Sequence, residues 1–236
     1  MQDFFSYLSA KRPDLLPCGV GRDVGEDSLP HGTTVIGVVY GQGVLLAGDR
    51  LATSGGKKMR YRADKIEQVD SQSAIAYAGT LATCVQMAKI IQVSQEVFRK
   101  LNKRLLSLAG KASSLSQMIR KNLPAALDGL AFVPVLAGYN DGGVLYSFDI
   151  AGHAMRFTDY AQSGSGGGDA AAVLKQQWRP ELGRDDAVGL ALKALKNAAD
   201  EDSATGGLSH DIPLVYSIDK SGVSRLEDEV IRGLAE

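Results

Sequence analysis

The order of the apolar segments is the feature that most constrains the fold of this chain. Short strand-like segments come first and two helix-like segments follow; this block then occurs a second time before a closing pair of strands. Such blocks differ from the one-by-one alternation that produces parallel βαβ units. The order therefore predicts antiparallel sheets with helices packed outside them, an α+β layer architecture.

The sequence also predicts the limits of these segments. The predicted strands cover 33–40, 44–47, 65–69, 73–78, 131–139, 143–149, 155–158, 212–218 and 223–226, and the predicted helices cover 80–104, 113–127, 169–178 and 187–200. Gly41-Gln42-Gly43 and Asn140-Asp141-Gly142 are typical of hairpin turns, and the basic stretch around Gly55-Gly56 is predicted to be a loop. Ser113 or Ser114 is predicted to cap the second helix, and the acidic tail to form a short helix.

Composition excludes several classes of function. The 236 residues carry a formal net charge of −1, which gives no electrostatic footprint for nucleic acid or for a membrane surface. No apolar run approaches the roughly 20 residues of a membrane span, and the N-terminus lacks the positive charge of a secretory signal. Cys18 and Cys84 form no CxxC motif, and the histidines are isolated from them. We therefore expect a cytoplasmic protein with no metal and no cofactor.

Residues 1–32 differ from the rest of the chain. Prolines and glycines in turn-like settings dominate this stretch, and only Phe4–Ala10 has the pattern of a short helix. The stretch is either a flexible tail or a propeptide that ends at Gly32. Under the second hypothesis, residues 33–236 form the mature domain.

Gly32-Thr33-Thr34 has the right chemistry for a chain that cuts itself before Thr33. A threonine hydroxyl needs a neighbouring base to act as a nucleophile, and a freed α-amine with a pKa of about 7.7–8.0 can be that base. Gly32 lacks a Cβ, so the chain can bend far enough for the Thr33 hydroxyl to reach the preceding carbonyl. The same residues are also typical of a plain strand start, which is the alternative at this stage.

Three further positions carry candidate chemistry. Asp49 follows Gly48 at the end of a strand, and Lys65 opens another strand. Gly79 lies at a strand-to-helix junction, where its amide can face an oxyanion. The alternatives are a turn acid, a surface lysine and a glycine that the backbone geometry requires.

Two polar stretches that contain glycine lie next to the later helices. Ser163–Gly168 has the composition of a phosphate-binding loop, but it lacks the Gly-Lys-Ser/Thr ending, so nucleotide binding is not favoured. Asp200–Gly207 places acids at the C-terminal end of a helix, where the helix dipole disfavours them. Their presence there indicates a functional role, with a solvated loop as the alternative.

In this order and spacing, the motifs resemble the β-subunits of the bacterial, actinobacterial-type 20S proteasome, which belong to the peptidase T1 family of N-terminal nucleophile hydrolases. The resemblance covers about 31–218. It rests on Gly32-Thr33-Thr34, Gly48-Asp49-Arg50, Asp64-Lys65, Ala78-Gly79-Thr80, Ala109-Gly110-Lys111, Leu136-Ala137-Gly138-Tyr139, Gly164-Ser165-Gly166 and the segment 202–207. It implies a four-layer αββα sandwich of two antiparallel sheets flanked by helices, with a propeptide over 1–32 and a catalytic domain over 33–236.

The resemblance also implies roles for single residues. Thr33 would be the nucleophile of a threonine endopeptidase, released by autocatalytic cleavage after Gly32, and its own amine would assist proton transfer. Lys65 would favour loss of the hydroxyl proton, and Asp49 would keep Lys65 charged and oriented. The amide of Gly79 would stabilise the tetrahedral oxyanion.

A supporting network around the Thr33 amine is implied as well, formed by Ser165, Asp202 and Thr205. The family often has serine in place of Thr205, and threonine keeps the hydroxyl. Leu51 departs from the family, which commonly has arginine there. This departure removes any ion pair that the arginine would make near Asp202, but it leaves the nucleophile in place.

By the same resemblance, substrate would lie as an added strand between Thr53 and the segment 79–81. The residue before the scissile bond (P1) would enter a pocket lined by Ala52, Ala63, Tyr77, Leu81 and Val85. An apolar wall with one phenol predicts a preference for hydrophobic P1 residues.

The implied assembly is a barrel in which heptameric rings of β-subunits are stacked between rings of a separate proteasome α-subunit. An ATPase ring or another activator would feed it with unfolded protein. Three alternatives are a subunit of a two-ring, HslV-type protease, a β-like assembly subunit without activity, and an N-terminal nucleophile amidase for small molecules. The long N-terminal extension and the segment 202–207 argue against the first. Retention of Thr33, Asp49, Lys65 and Gly79 argues against the second, because an assembly subunit needs none of them.

Overall fold

A computed structural model describes residues 33–54, 57–207 and 211–235. The predictions for residues 1–32, including the helix at Phe4–Ala10 and the propeptide that ends at Gly32, lie outside the described residues. The strands are β1 (Thr34–Tyr40), β2 (Gly43–Gly48), β3 (Leu51–Ser54), β4 (Lys57–Arg62), β5 (Ile66–Asp70), β6 (Ser73–Gly79), β7 (Phe132–Tyr139), β8 (Gly143–Phe148), β9 (Ala154–Phe157), β10 (Tyr160–Gly164), β11 (Leu214–Asp219) and β12 (Gly222–Arg225). The helices are α1 (Leu81–Asn102), α2 (Leu108–Leu127), α3 (Gly167–Gln177), α4 (Arg184–Glu201) and α5 (Asp228–Leu234).

Ten of these strands form two five-stranded sheets. Sheet I has the strand order β10-β1-β2-β11-β12, and sheet II has the order β5-β6-β7-β8-β9. Every neighbouring pair in both sheets is antiparallel. β3 and β4 form a separate two-stranded ladder.

The apolar cores show that the molecule has four layers. Ile36 of sheet I packs with Leu195 of α4, whereas its neighbour Val35 packs with Leu145 of sheet II. Adjacent residues reach different cores because successive side chains of a strand point to opposite faces. On the far side of sheet II, Ile75 packs with Leu115 of α2. The layers are therefore helices, sheet I, sheet II and helices, which confirms the predicted αββα sandwich.

The two sheets come into close contact where β1 faces β8. A Cβ added to Gly37 would lie 2.5 Å from Cδ2 of Leu145, and Leu145 is fully buried. The leucine side chain therefore occupies the space that a side chain at position 37 would need. Protein interiors are packed to crystal-like density, so a change on either side of this contact is felt by the other.

Several local predictions are confirmed. The turn Gly41-Gln42-Gly43 connects β1 to β2, and Asn140-Asp141-Gly142 connects β7 to β8. The acidic tail forms helix α5. Asp141 and Gly142 both have positive φ angles, 55° and 155°, which is the backbone conformation that such tight turns require.

The predicted start of the second long helix is wrong. The helix begins at Leu108, and its N-cap is Ser107, whose side chain accepts a hydrogen bond from the backbone N–H of Gly110. Ser113 and Ser114 lie inside the helix. The Ala-Gly pair in the first turn has no apolar periodicity, which hid the true start from a pattern-based prediction.

The predicted loop is wrong for the basic residues 57–62, which form β4 and pair with β3, whereas Gly55-Gly56 lie outside the described residues. The basic residues there lack apolar alternation, so the pattern gave no strand signal. A further strand, β10, was not predicted because it ends in the glycine-rich stretch. Within the described ranges, no helix has the length and apolarity needed to cross a bilayer.

Leu145→Ala is expected to lower the free energy of unfolding by about 2–5 kcal/mol, because it leaves a cavity between the sheets. Gly37→Ala alone is expected to cost about 1–3 kcal/mol through overpacking. In the double variant, the new methyl group enters the space that the leucine has left, so part of the loss should be restored. Urea unfolding measures all three variants. A double variant less stable than Leu145→Ala alone would contradict the close contact.

Candidate active site

The topology brings four chain segments together at one end of the sandwich. Thr34 at the start of β1 pairs with Gly164 at the end of β10, and Val35 pairs with Gly48 at the end of β2. Strand β6 of sheet II also ends here, since a Cβ on Gly164 would lie 3.3 Å from the Cβ of Ala78. The start of β1 is therefore surrounded by the ends of three other strands.

Asp49, directly after β2, forms the first of two acidic centres in this region, and its buried partner is Lys65. Both of its carboxylate oxygens lie 2.9 Å from Nζ of Lys65, and both side chains are almost completely buried, with 0% and 3% exposure. Oδ1 also accepts the backbone N–H of Thr34 at 2.9 Å. Oδ2 accepts the N–H groups of Leu51 at 2.9 Å and Gly206 at 3.0 Å. One carboxylate thus joins β1, β3, the residue before β5 and the segment after α4.

The surroundings of Lys65 act on its pKa in opposite directions. Burial lowers the pKa of the ammonium group, because the charged form loses its hydration. The carboxylate of Asp49 opposes this effect, and the more distant Asp202 does so too. Nearby, burial raises the pKa of the Cys84 thiol to about 12, so this group is neutral beside the ammonium. A desolvated cation with a lowered pKa is typical of groups that assist proton transfer.

Asp202 forms a second acidic centre just after α4. Its Oδ2 accepts hydrogen bonds from the hydroxyls of Ser165, at 2.5 Å, and Thr205, at 2.7 Å. Its Oδ1 accepts the backbone N–H of Ala204 at 3.0 Å. The structure thus brings together the three residues that the family resemblance groups as a supporting network, with Asp202 bonded to both hydroxyls.

Thr33 lies between the two acidic centres. It is 6% exposed, and its carbonyl oxygen accepts the backbone N–H of Ser165 at 3.1 Å. Gly164 makes this approach possible, because its φ angle is +103° and a Cβ there would collide with the Thr33 carbonyl. The next residue, Thr34, carries the backbone bond to Asp49. The peptide group that follows Thr33 is therefore held at both its carbonyl and its N–H.

Gly79 ends β6 with a φ angle of +125°, and a Cβ on it would collide with the carbonyl oxygen of Ala131. Helix α1 begins two residues later. Its N-cap residue Thr80 gives its hydroxyl hydrogen to the carbonyl of Gly129 at 2.7 Å and makes no capping bond. The first amides of α1 therefore lack a side-chain cap, and the positive end of the helix dipole lies beside Gly79.

The predicted pocket residues differ in depth. Tyr77 and Ala63 are 1% exposed and Ala52 is 7% exposed, whereas Val85 on α1 is 46% exposed. Leu81 lies between these extremes and is half-buried. The exposure of these residues therefore rises from Tyr77 on β6 to Val85 on α1. The backbone of Thr53 lies in β3, and Gly32 lies outside the described residues.

Sequence reasoning missed the polar partners of Tyr77. Its hydroxyl donates to the carbonyl of Asp64 at 3.0 Å and to Oε1 of Glu67 at 3.3 Å, and Gln92 of α1 donates to Oε2 of Glu67 at 2.9 Å. Burial raises the pKa of the Tyr77 hydroxyl, so it stays protonated and donates. Glu67 is two residues after Lys65, a strand spacing that could have pointed to it.

Two backbone partners of the centre were also missed. Gly206 has no side chain, and it contributes only the N–H that bonds Asp49. Thr34 belongs to the motif Gly32-Thr33-Thr34, but the sequence predicted no role for it.

Arg50, the residue after Asp49, binds Asp64 at 2.7 Å, which connects the end of β2 to the residue before Lys65. Within the described ranges, no group of three or more His, Cys, Asp or Glu side chains is arranged to hold a metal ion.

A family model described as "Proteasome subunit" matches residues 29–224. "Proteasome subunit beta 2" from Thermomonospora curvata is 40% identical over 99% of this chain and 86% of that protein. "Proteasome subunit beta" from Acidothermus cellulolyticus is 38% identical over 99% of this chain and 84% of that protein. "Proteasome subunit beta" from Acidimicrobium ferrooxidans is 39% identical over 99% of this chain and 87% of that protein.

Asp49→Asn is expected to lower the free energy of unfolding by about 3–5 kcal/mol, because the Lys65 ammonium stays buried without its counter-charge. The pKa of Lys65 in the folded variant then falls further below the value of about 10.4 that a lysine has in the unfolded chain. Between these two pKa values, the unfolded chain holds a proton that the folded chain has released. The stability of the variant relative to wild type should therefore rise with pH. Urea midpoints at about pH 7 and about pH 9 measure this.

The matched control is Asp200→Asn on α4, which breaks the exposed ion pair between Asp200 and Lys196, 2.9 Å apart. Exposed pairs of this spacing contribute only about 0.3–0.5 kcal/mol. Equal losses of unfolding free energy in the Asp49 and Asp200 variants would show that the buried pair contributes no more to stability than the exposed one.

Proposed function

The chain belongs to the proteasome subunit family, and we propose that it is a catalytic β-subunit of a proteasome core particle, acting as a threonine endopeptidase. The observation that carries this proposal is the buried Asp49–Lys65 pair, which is bonded to the main chain directly after Thr33. A subunit that only assembles would need no such buried charge beside its first strand, since buried ion pairs contribute little to stability.

Thr33 becomes the nucleophile once the bond after Gly32 is cut. In the propeptide-free chain its α-amine accepts the hydroxyl proton as Oγ1 attacks the substrate carbonyl. The Lys65 ammonium lies in a low-dielectric site, where it favours the developing negative charge on oxygen. Asp49 holds Lys65 in place and offsets the effect of burial on its pKa.

The reaction then proceeds through a tetrahedral intermediate. Its oxyanion accepts the N–H of Gly79, next to the positive end of α1, and such donors are often worth about 3–4 kcal/mol. The intermediate collapses, the amine of the substrate leaves with the proton, and the acyl group remains as an ester on Thr33. Water hydrolyses this ester with the same amine as base and restores the hydroxyl.

Asp202, with Ser165 and Thr205, supports the amine in this scheme. A carboxylate close to an amine raises the pKa of that amine and orients it through hydrogen bonds. The backbone N–H of Ser165 already holds the Thr33 carbonyl. No arginine is needed at position 51, because Leu51 is buried and Asp202 has hydroxyl and amide donors.

Substrate binds as an added strand between Thr53 and the segment 79–81 in this proposal. The P1 side chain enters the pocket of Ala52, Ala63, Tyr77, Leu81 and Val85. The buried aliphatic carbons there favour apolar residues. The Tyr77 hydroxyl already has partners in Asp64 and Glu67.

Assembly and location complete the proposal. The subunit would form heptameric rings with copies of itself, stacked against rings of an α-subunit, and an ATPase ring or other activator would deliver unfolded protein. Residues 1–32 would act as a propeptide that protects Thr33 until assembly. The names of the relatives favour this assembly over a two-ring, HslV-type protease. The cytoplasm is the expected location.

Thr33→Ala, co-expressed with the α-subunit, is expected to keep residues 1–32 and to lose peptide cleavage by more than about a thousandfold, because no nucleophile remains. Thr33→Ser is the matched control, since it keeps the hydroxyl and should be processed. Intact-mass spectrometry of assembled rings and a fluorogenic peptide assay measure both. Peptide cleavage by Thr33→Ala rings at the wild-type rate would refute the proposed mechanism.

The pocket predicts that peptides with Leu or Tyr at P1 have a kcat/KM at least about tenfold higher than peptides with Glu at P1. Val85→Arg at the rim should raise the relative rate for Glu at P1. Gln86→Arg, the same new charge on the neighbouring exposed residue of α1, should leave the order unchanged. Equal shifts in both variants would place Val85 outside the pocket.

A further inference from the structure

We propose that Thr34, the residue after the nucleophile, is a positioning residue whose buried hydroxyl and backbone join the two acidic centres and thereby fix Thr33. The inference rests on the proposed function, since it assigns a task to Thr34 in the same reaction. It does not require Thr34 to touch substrate or the reacting atoms.

The backbone of Thr34 is bonded to the first acidic centre. Its N–H donates to Oδ1 of Asp49 at 2.9 Å, and its carbonyl accepts the N–H of Asp49 at 3.2 Å. The N–H bond of Thr34, together with the bond from the Ser165 N–H to the Thr33 carbonyl, fixes the peptide plane between Thr33 and Thr34, and the carbonyl bond fixes the next plane. The same carboxylate oxygen receives the ammonium of Lys65. A shift of Thr34 would therefore move the nucleophile relative to Lys65.

The side chain of Thr34 is bonded to the second acidic centre. Its Oγ1 lies 2.6 Å from Oγ1 of Thr205, and Thr205 donates to Oδ2 of Asp202 at 2.7 Å. Each hydroxyl has one hydrogen to give. Because Thr205 gives its hydrogen to the carboxylate, the hydrogen between the two threonines comes from Thr34. The chain of donors thus runs in one direction, from Thr34 through Thr205 to Asp202.

The space around these two hydroxyls is closed. Thr34 is 0% exposed and Thr205 is 2% exposed. A Cβ on Gly166 would lie 2.5 Å from Oγ1 of Thr34 and 2.9 Å from Oγ1 of Thr205. A water molecule has no room to replace a lost hydroxyl here unless the strands separate. Removal of the Thr34 hydroxyl therefore leaves the oxygen of Thr205 without its donor.

The two connections make Thr34 the link between Lys65–Asp49 on one side and Asp202–Thr205 on the other. In the proposed reaction, Thr33 uses groups from both sides at once. A displacement of about 1 Å in such a site costs about a hundredfold in rate. Loss of the link should therefore lower kcat while substrate binding, which depends on β3 and the segment 79–81, stays the same.

The test compares three single variants as assembled, processed rings with the α-subunit. Thr34→Val keeps the shape but removes the hydroxyl, and kcat is expected to fall at least about tenfold with KM changed less than about twofold. Thr34→Ser keeps the hydroxyl and should retain most of the wild-type kcat. Tyr40→Phe is the matched control on the same strand, because it removes a buried hydroxyl bonded to Ser217 at 2.9 Å, far from Thr34 along the strand. It should leave kcat unchanged.

A double-mutant cycle tests whether the hydroxyls act as one chain. Thr205→Val should lower kcat by itself, and Thr34→Val added to it should cost little more, because the chain is already broken. Effects that multiply fully would overturn the proposed chain. If Thr34→Val does not enter rings, Thr34→Cys takes its place, since a thiol is a weaker donor of similar size. A wild-type kcat in that variant would equally overturn the inference.

The outcomes separate this inference from the proposed function. Inactive Thr33→Ala rings together with a fully active Thr34→Val variant would leave the proposed function standing and remove the role of Thr34. Active Thr33→Ala rings would remove both. A fall in kcat for Thr34→Val that Thr34→Ser does not share would support the positioning role, because a purely structural loss would affect Tyr40→Phe as well.

Discussion

The buried carboxylate of Asp49 is the interaction on which the rest of the site depends. A charge without hydration is costly, so this carboxylate is tolerated only while Lys65 and three backbone N–H groups surround it. Those donors come from β1, β3, the residue before β5 and the segment after α4. The need to neutralise one anion therefore dictates where four separate parts of the chain meet. The same ion pair therefore stabilises this region and positions the groups of the proposed reaction.

The sandwich places this meeting point at its end and not in its middle. Between the sheets, apolar side chains such as Leu145 are fully buried and in close contact with the facing strand, which leaves little space for a bound peptide. Where β1 begins and its neighbours end, the ladder stops and backbone groups become available for other partners. Thr33 lies directly before β1, where backbone N–H groups begin to bond side chains such as that of Asp49. The fold thus places backbone groups without strand partners next to a tightly packed sandwich.

Much of this arrangement could be predicted from the sequence, and the rest depended on contacts that no local pattern contains. The order of strand and helix blocks predicted antiparallel sheets with helices outside them, because periodicity reports burial, and the family resemblance supplied the four layers. The start of α2 was missed because its cap is a single hydrogen bond from Gly110 to Ser107. The bond between Thr34 and Thr205 joins residues far apart in sequence, and only the folded register brings them together. The partners of Tyr77 escaped for the same reason.

One neighbour of the site has a consequence for its reactivity toward small electrophiles. The thiol of Cys84 is buried beside Lys65, donates to the carbonyl of Ala78 at 3.5 Å and has a pKa of about 12. Thiolates, not thiols, are the nucleophilic form, so at neutral pH this sulfur is inert toward alkylating agents and peroxide. The Cys84 side chain is therefore expected to resist oxidation. Compounds designed to capture a cysteine would find no reactive partner there.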